Sequence, residues 1–323
     1  MFSVGKICCI KHYNKHMIDL YCLGGASVDL VLEVPRLPVD GEKLLSKYFG
    51  QLPGGFIANT ACAAAKLGLQ AAWGGWVGDD VFGQNVMQSF EEFGVQTNDV
   101  QPQKNSPSDF TVVLIHPNGE RTILVVPILP MPPPLNDAMR RSLQNTCSGY
   151  TALYDYDWFI EVADLLHGGC GKVAVDLEIN TLRDLDAAKR MLKTADIVFS
   201  DEDALQKLTG QDDTNKSIKE VLSIGPELIV LTKGSAGAAA FTRTDTYTTG
   251  TYQVPIKDTT GAGDCFHAAF LFGILSDFQY QYCLDFASAA SALLIQEIGA
   301  RRGLPAAMDV QKFMENNFRG DEI

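Results

Sequence analysis

Short apolar runs alternate with amphipathic stretches along most of the chain, which is the pattern of a parallel β-sheet wrapped by helices. The apolar runs predict strands, and the stretches with apolar residues at helical spacing predict helices. The predicted strands are 18–23, 71–75, 172–175, 197–199, 228–231 and 238–241. The predicted helices are 57–67, 82–93, 184–194, 202–209, 216–222, 262–275 and 282–295. The alternation predicts an α/β fold with a central, mostly parallel sheet.

Two stretches, 30–53 and 109–126, depart from this alternation and predict β-strands joined by turns. Turns are expected at 38–41 and 117–119, where Pro, Asp, Asn and Gly are concentrated. Asn118-Gly119 is a strong signal for a two-residue hairpin. These strands are therefore expected to lie outside the main sheet.

The composition allows a large core and gives the chain a strongly acidic character. Hydrophobic residues make up 46% of the 323 positions, enough for one large α/β domain or a domain with an insertion. The formal charge is −13, so long-range attraction to nucleic acid or to an anionic membrane is not expected. An anionic ligand would have to be held by local donors or by a metal ion.

Cysteine usage favours a reducing compartment and a cytoplasmic protein. None of the 8 cysteines forms a Cys-x-x-Cys pair, and the 5 histidines are scattered, which disfavours a structural zinc site. The longest apolar run, 265–275, is shorter than the roughly 20 residues that cross a bilayer. Residues 1–16 lack the apolar core of a signal peptide and precede Met17 and the first strand. We expect 1–16 to be an extension, disordered or a mis-assigned start, and 17–323 to be the folded domain.

The stretch Asp258-Thr-Thr-Gly-Ala-Gly-Asp264 opens the apolar helix predicted from residue 262. The N–H groups of such a turn lack intrahelical partners, and the helix dipole adds positive potential, so Gly261, Ala262 and Gly263 suit a phosphate. A carboxylate beside a phosphate is repulsive unless it takes a proton from an attacking hydroxyl, which assigns Asp264 as a general base. The alternative is an ordinary turn followed by a helix-start Asp.

A second motif lies about 200 residues earlier, at Gly54-Gly-Phe-Ile-Ala-Asn-Thr-Ala61, followed by Gly68 and Gly78. With both motifs in this order, the chain resembles the ribokinase-like (PfkB) carbohydrate kinase family, in the branch near ketohexokinase and sulfofructose kinase. Smaller matches are 24–29, 75–83, 118–122 and 232–237, so the resemblance covers roughly 18–315. The first motif departs from the family pattern at Ile57, where Gly, Ala or Pro is usual.

The resemblance implies a three-layer ribokinase-like fold with a small β-sheet lid, built from strands in about 30–53 and 109–126, over the sugar site. In several members the lid also forms a dimer contact. The implied reaction is transfer of the ATP γ-phosphoryl to a primary hydroxyl of a small sugar, with Mg²⁺. The alternatives within this family are a nucleoside or a sugar-phosphate substrate, and a non-catalytic sugar-binding relative is disfavoured by the intact 258–264 motif.

The resemblance also assigns the sugar-binding residues. Asp29 is implied as an acceptor of sugar hydroxyls, with a simple turn Asp as the alternative. Gly54 and Gly55 are expected to let backbone N–H groups approach the sugar, and Asn59 to offer a donor and an acceptor to its hydroxyls. Phe56 stands where ketohexokinase-like members carry Asn, so a fructose-type specificity does not transfer.

On the nucleotide side, the resemblance implies that Thr232, Gly234, Ser235 and Gly237 form the loop that contacts ATP, with a plain β-turn as the alternative. Asp258 and Thr260 are implied as ligands of a monovalent cation, with part of the site contributed by the loop 299–305, so K⁺ activation is expected.

The family's Asn-x-x-Glu motif, which organises Mg²⁺ through water, is degenerate here. Asp201 and Ala204 occupy its positions, or Ser200 and Asp203 in the shifted register. The acidic residues 201–203 are either water-mediated Mg²⁺ ligands or a helix start. Arg121 either reaches a phosphate or an anionic sugar, or is a solvated strand residue. A dinucleotide oxidoreductase is disfavoured because 24–29 lacks the Gly-x-Gly-x-x-Gly spacing, and no P-loop sequence is present.

Overall fold

A computed structural model describes residues 18–100, 102–117 and 121–317. Within them, an 8-stranded sheet forms the centre of the molecule in the order β12-β11-β10-β9-β8-β7-β1-β4. The strands from β4 to β10 in this order run parallel, and β11 and β12 are antiparallel at one edge. Numbered in chain order, they are β1 (Ile18–Leu23), β4 (Ala71–Gly74), β7 (Thr146–Ala152), β8 (Lys172–Leu177), β9 (Ile197–Ser200), β10 (Leu228–Thr232), β11 (Ala238–Phe241) and β12 (Thr246–Thr249).

Helices cover both faces of this sheet. They are α1 (Phe56–Leu67), α2 (Val81–Phe93), α3 (Asp137–Gln144), α4 (Tyr156–Gly168), α5 (Leu185–Met191), α6 (Glu202–Thr209), α7 (Thr214–Ile224), α8 (Ala262–Leu275), α9 (Tyr280–Leu294) and α10 (Ala307–Asn316). One hydrophobic core joins the sheet to α1, α2, α8, α9 and α10. The other joins it to α3 through α7.

The central strands have apolar side chains on both faces, and each strand divides them between the two cores. In β1, Leu20 and Cys22 join the core under α1 and α8, whereas Tyr21 and Leu23 join the core under α3 and α4. Successive side chains point to opposite faces of a strand, and a parallel sheet covered on both faces must be apolar on both. This arrangement explains the short, uninterrupted apolar runs in the sequence.

A separate 4-stranded sheet has the order β3-β2-β5-β6. Its strands are β2 (Ser27–Glu33), β3 (Lys47–Gly54), β5 (Phe110–Ile115) and β6 (Arg121–Val126). We call this sheet the lid. The central pair β2–β5 is parallel, and both outer pairs are antiparallel. The lid strands begin at Ser27, earlier than the expected residue 30, and the predicted Asn118-Gly119 turn lies outside the described residues.

The main-sheet predictions are confirmed, with small differences at the ends of elements. The predicted helix 184–194 is α5 followed by a 3₁₀ turn at Leu192–Thr194. The sequence analysis missed two strands, β7 and β12, and three helices, α3, α4 and α10. All residues of β7 are buried, but its sequence TCSGYTA is rich in small and polar side chains, which hides it from a hydrophobic pattern.

Candidate active site

Two cavities lie side by side at the carboxyl ends of the parallel strands, the edge where open α/β sheets bind ligands. The lid-side cavity, of about 730 Å³, lies between the lid and the start of α8. The sheet-side cavity, of about 500 Å³, lies between the loop after β10 and the helices α8 and α9. Thr259, Ala262 and Gly263 line both cavities, so the first turn of α8 is the wall between them.

The first turn of α8 has free backbone donors facing open space. Gly261 is its N-cap with φ 77°, and a Cβ there would lie 2.7 Å from the Cβ of Ala300. The N–H of Ala262 donates to Thr259 O at 3.2 Å, which fixes the turn and occupies one of the three predicted phosphate donors. A Cβ on Gly263 would meet no atom within 4 Å. The helix therefore begins with space that suits an anion; phosphate binding there stays a prediction.

Asp264 lies at the floor of the lid-side cavity and is held by Asn59. Asn59 Nδ2 donates to Asp264 Oδ2 at 2.8 Å, while Arg301 Nε donates to Asn59 Oδ1 at 2.9 Å. Burial raises the pKa of Asp264 to about 6, and the Asn59 hydrogen bond partly opposes this. Asn59 also lines the lid-side cavity, so its binding of sugar hydroxyls stays a prediction beside its contact with the candidate base.

Arg301 is a buried residue of the site that the sequence analysis missed. Its guanidinium donates to Asn59, to Ser89 Oγ and to the carbonyl of Gly54, each at 2.9 Å. Burial lowers its pKa, against the opposing effect of Cys62, Asp29 and Asp264. A buried charge requires such partners. The only sequence signal was its place in the loop 299–305, which was assigned to the cation site.

Asp29 lies within lid strand β2, not in a turn, and it lines the lid-side cavity. Thr111 Oγ1 donates to Asp29 Oδ1 at 2.6 Å. A Cβ on Gly54 would lie only 2.5 Å from the Asp29 carboxylate, so Gly54 makes room for this carboxylate instead of lining the cavity. Gly55, with φ 93°, does line the cavity, as does Phe56.

The predicted nucleotide loop lines the sheet-side cavity. Thr232 ends β10, and Gly234–Ala236 form a 3₁₀ turn before β11. Gly237 has φ 91°, and a Cβ there would lie 2.1 Å from the carbonyl oxygen of Thr249. The opposite wall is largely apolar and is formed by Tyr252, Val254, Ile256, Phe266, Ala292 and Ile295. A slot with an apolar wall and a polar loop suits a flat heterocycle with attached hydroxyls and phosphates.

Asp258 fixes the loop before α8. Its Oδ1 accepts from the N–H and the hydroxyl of Thr260, at 2.9 and 2.6 Å, and its Oδ2 accepts from Gly299 N–H at 2.8 Å. Arg121 of the lid also contacts Asp258 Oδ1, at 3.2 Å, and donates to Thr259 Oγ1 at 2.7 Å. The guanidinium therefore joins the lid to the loop and brings a positive charge to the predicted cation site.

Comparison with known proteins identifies the family. The sequence profile of the "pfkB family carbohydrate kinase" matches residues 17–129 and 161–307, which is most of the chain. The chain belongs to the PfkB carbohydrate kinase family. Ribokinase of Arabidopsis thaliana is 27% identical over 320 residues, covering 94% of this chain and 82% of that protein. The 5-dehydro-2-deoxygluconokinase of Halalkalibacterium halodurans is 26% identical, covering 93% and 95%.

The fold is also that of the family. The structure of Arabidopsis thaliana ribokinase complexed with ribose and ATP superposes with a TM-score of 0.82 at 26% identity, covering 93% of this chain and 99% of that one. The ribokinase-like three-layer architecture with a separate small sheet is thus confirmed. Placement of this PfkB kinase near the ketohexokinase branch stays a prediction.

A second polar cluster of this PfkB kinase, also missed from the sequence, lies behind Asp264. Tyr150 of β7 donates to Asp176 Oδ2 at 2.6 Å, and its hydroxyl lies 2.9 Å from His267 Nδ1. Glu178 follows β8 and lines the lid-side cavity; burial, with Asp176 and Asp264, raises its pKa to about 7. Acidic residues at the carboxyl end of a strand, as in the sequence Val175-Asp-Leu-Glu178, were the available signal.

The donor set for Mg²⁺ is sparse in the described part of this PfkB kinase. Asp201 caps α6 through a bond from Ala204 N–H at 2.7 Å, so one of its oxygens has a structural use. Among residues 18–100, 102–117 and 121–317, no group of three His, Cys, Asp or Glu side chains is placed to hold a metal ion. This fits an ion that keeps most of its waters and binds chiefly through nucleotide phosphates, as Mg²⁺ does.

Proposed function

We propose that this protein transfers the γ-phosphoryl group of ATP to a primary hydroxyl of a small, uncharged sugar, with Asp264 as the general base. The observation that carries the proposal is the wall shared by the two cavities: Thr259, Ala262 and Gly263 line both, and Asp264 follows directly. A sugar on the lid side and a nucleotide on the sheet side would meet at a helix N-terminus beside a carboxylate.

In the proposed reaction, the sugar hydroxyl oxygen attacks the γ-phosphorus as its proton passes to Asp264. The bond from the γ-phosphorus to the β,γ-bridging oxygen breaks, and ADP leaves. The free N–H groups at the start of α8 stabilise charge on the transferring group, and Asn59 holds Asp264 in orientation. When bound, Mg²⁺ would neutralise charge on the phosphates, with Asp201 and Asp203 as acidic candidates for its water shell.

The charge of the lid-side cavity supports an uncharged substrate. Its charged lining residues are Asp29, Asp109, Arg121, Glu178 and Asp264. Arg121 is paired with Asp258, and Arg301 beneath the site is held by three hydrogen bonds. A phosphate or carboxylate on the substrate would therefore lie among mostly acidic groups. A sugar phosphate or a sugar acid fits this cavity less well than a neutral polyol, whose hydroxyls donate to Asp29.

A monovalent cation at Asp258 and Thr260 stays a prediction. Arg121 already supplies positive charge at Asp258, so the side chain competes with a cation for the same carboxylate. Comparing rates in K⁺ with rates in a larger organic cation tests the prediction. Activation by K⁺ supports the site, and an equal rate in both buffers removes it.

A homodimer through the lid is also part of the proposal. The outer strand β6 exposes Leu124 and Val125, with 55% and 65% of their surface accessible, and its outer edge is unpaired among the described residues. Such an edge is a template for strand pairing. Sedimentation at micromolar concentration separates monomer from dimer. A cytoplasmic location is proposed from the free thiols at Cys22, Cys62, Cys170, Cys265 and Cys283. Among the described residues, no helix has the length and apolar character needed to span a membrane.

The deciding experiment measures ADP formation from Mg-ATP with a panel of free ketoses, aldoses, sugar acids, sulfosugars, sugar phosphates and nucleosides. Strong stimulation by one neutral sugar supports the proposal and names the substrate. Preferential stimulation by an anionic compound or a nucleoside replaces the substrate class. No stimulation by any compound, with ATP binding intact, contradicts the kinase assignment and the role of Asp264.

A further inference from the structure

His267 lies in α8 three residues after Asp264, so the two side chains share one side of the helix. Only 6% of its surface is accessible, and it is not among the residues that line the lid-side cavity. The ring of Phe199 packs against it with centroids 4.4 Å apart. His267 therefore belongs to the layer behind the candidate base, out of reach of a substrate.

The hydrogen bonds around His267 fix one of its protons. A carboxylate only accepts, so at 2.6 Å the hydroxyl proton of Tyr150 goes to Asp176. The tyrosine oxygen can then only accept from His267 Nδ1, which lies 2.9 Å away. Nδ1 therefore carries a proton, and it also lies 3.4 Å from Asp176 Oδ2. The other ring nitrogen, Nε2, is fully buried and has no hydrogen-bond partner among the described residues.

The charges around His267 favour the cationic ring. The titratable groups facing it are Tyr150 on β7, Asp176 on β8, Glu178 just beyond β8, and Asp264 on α8 itself. Against the effect of burial, these carboxylates raise the pKa of His267, with Asp176 the strongest. Several carboxylates close together out of water need a cation near them, and Arg301 is the other buried cation close to Asp264 within the described part of the chain.

We propose that His267 is a positioning residue for Asp264: a buried imidazolium, oriented by Tyr150 and Asp176, whose charge keeps the Asp264 carboxyl ionised. The inference rests on the proposed role of Asp264 as base. Without the imidazolium, Asp176 and Glu178 would act on Asp264 with less opposition, and the base would be protonated at higher pH. His267 thus sets the lower pH limit of the reaction while touching neither substrate.

The test is the variant His267→Asn, because an Asn amide can still donate to the Tyr150 oxygen but carries no charge. The pH dependence of kcat/KM is measured between pH 5 and 9, with the best sugar of the panel. A neighbouring charge shifts a pKa by about 1 to 3 units, so we expect the acidic limb to move up by about one pH unit. Rates at the alkaline end should change little.

The matched control is His167→Asn, at an exposed histidine that pairs with Asp196. Neither residue lines the two cavities. It should leave the acidic limb in place. An unchanged limb in His267→Asn overturns the proposal. A uniform loss of rate at all pH values also overturns it, since that outcome shows that the ring serves only to hold the structure.

A second measurement needs no activity and uses the wild-type protein. In ¹⁵N-histidine-labelled full-length chain, the His267 signals are assigned by replacing the other four histidines one at a time. Both ring nitrogens of His267 should be protonated at pH 7, and a neutral ring overturns the proposal even if His267→Asn does not fold. If no sugar stimulates wild-type ADP formation, the proposed function fails while this measurement still decides the charge of His267.

Discussion

At the residue scale, the site depends on a carboxylate whose surroundings are built to hold it in one orientation. Asn59 connects Asp264 to Arg301, and Arg301 in turn connects to Ser89 and Gly54. Of these residues, only Asn59 of α1 bonds to a carboxylate oxygen of the candidate base. Arg301, in the loop after α9, links Asn59 to α2 and to the end of β3. The other carboxylate oxygen of Asp264, Oδ1, takes no part in this chain of contacts and is available to accept the proton of a sugar hydroxyl.

Asp264→Asn should lower kcat by two or more orders of magnitude, the usual scale for the loss of a general base, because an amide cannot take the proton. Sugar binding should change little, since Asp29 and the lid are untouched. Steady-state kinetics and calorimetric sugar binding measure the two effects. Asp277→Asn is the matched control, at an exposed position with φ 60° just after the same helix. Near-native turnover in Asp264→Asn would remove the residue from the role.

The wild-type enzyme should lose kcat/KM as the pH falls through about 6, the raised pKa of Asp264. The sign follows from the role of the group: a base works only when ionised, and a raised pKa means that protonation begins at a higher pH. A profile measured with saturating Mg-ATP checks this. A rate that stays constant down to pH 5 would be incompatible with Asp264 as the base.

The sequence predicted the candidate site residues that belong to a recognisable motif. It did not predict those that reach the site only through the packing of the fold. Asp264 and Gly263 stand in a recognisable turn, so their place was predictable. Arg301 and His267 look like an ordinary loop arginine and a histidine in an apolar helix, and only the fold brings them to Asn59 and Asp176. For Asn59, the residue was predicted but its contacts were not, because its partners come from about 200 residues away.

At the element scale, the first turn of α8 has two roles. It forms the wall that the two cavities share, and its N–H groups are the donors available where the cavities meet. Gly263 leaves open space beside this turn, since a Cβ there would meet nothing within 4 Å. A phosphate group suits such a space at a helix start.

Gly263→Val should fold normally but fill part of this space, raising the KM for ATP and lowering kcat by about ten-fold or more, the effect expected from displacing reacting atoms by about 1 Å. Nucleotide titration and initial rates measure the change. Gly168→Val is a suitable control, because a Cβ at that helix end also meets nothing within 4 Å and lies away from both cavities. Equal kinetics in the two variants would show that phosphates lie elsewhere.

The lid strand β6 is tied to the loop before α8 by Arg121, through Asp258 and Thr259. Arg121→Ala should loosen this contact, raise the KM for the sugar by several-fold and increase ATP hydrolysis relative to transfer, because water reaches the site. The ratio of ADP to sugar phosphate formed measures the leak. Lys47→Ala removes an exposed pair with Glu33 at the opposite lid edge and should leave the ratio unchanged. If the ratio of ADP to sugar phosphate in Arg121→Ala equals the wild-type ratio, Arg121 has no role in closing the lid.

The alternation of strands and helices predicted these elements well where side chains follow the regular pattern, as in β10 and α8. It failed at β7, where Ser148 and Gly149 interrupt the apolar run, and at the polar edge strand β12. β7 is buried because it lies inside the sheet, with β1 and β8 paired to its two edges. Its own residues carry no pattern that predicts this position.

At the scale of the whole molecule, the strand order places β1 between β4 and β7, and the chain leaves β1 directly into the lid at Ser27. The lid is therefore continuous along the chain with the main sheet, and it carries Asp29, which lines the same cavity as Asp264. The net charge of −13 belongs to the surface and does not steer ATP, so nucleotide capture depends on the local donors at α8.

Asp29 and Gly54 lie on adjacent lid strands, two register positions apart, since Gly54 is opposite Ser27 and Asp29 is opposite Leu52. The Asp29 carboxylate occupies the volume that any side chain at 54 would need. The two positions are thus one unit for protein engineering: a library that varies residue 54 without residue 29 should contain almost no active members. As a single substitution, Gly54→Ala should abolish sugar phosphorylation. In the Asp29→Ala background it should cost no further stability, which chemical denaturation of the single and double variants measures. We therefore expect that substitutions at Phe56 and Glu178, which line the lid-side cavity, can change the substrate preference, and that substitutions at Gly54 cannot.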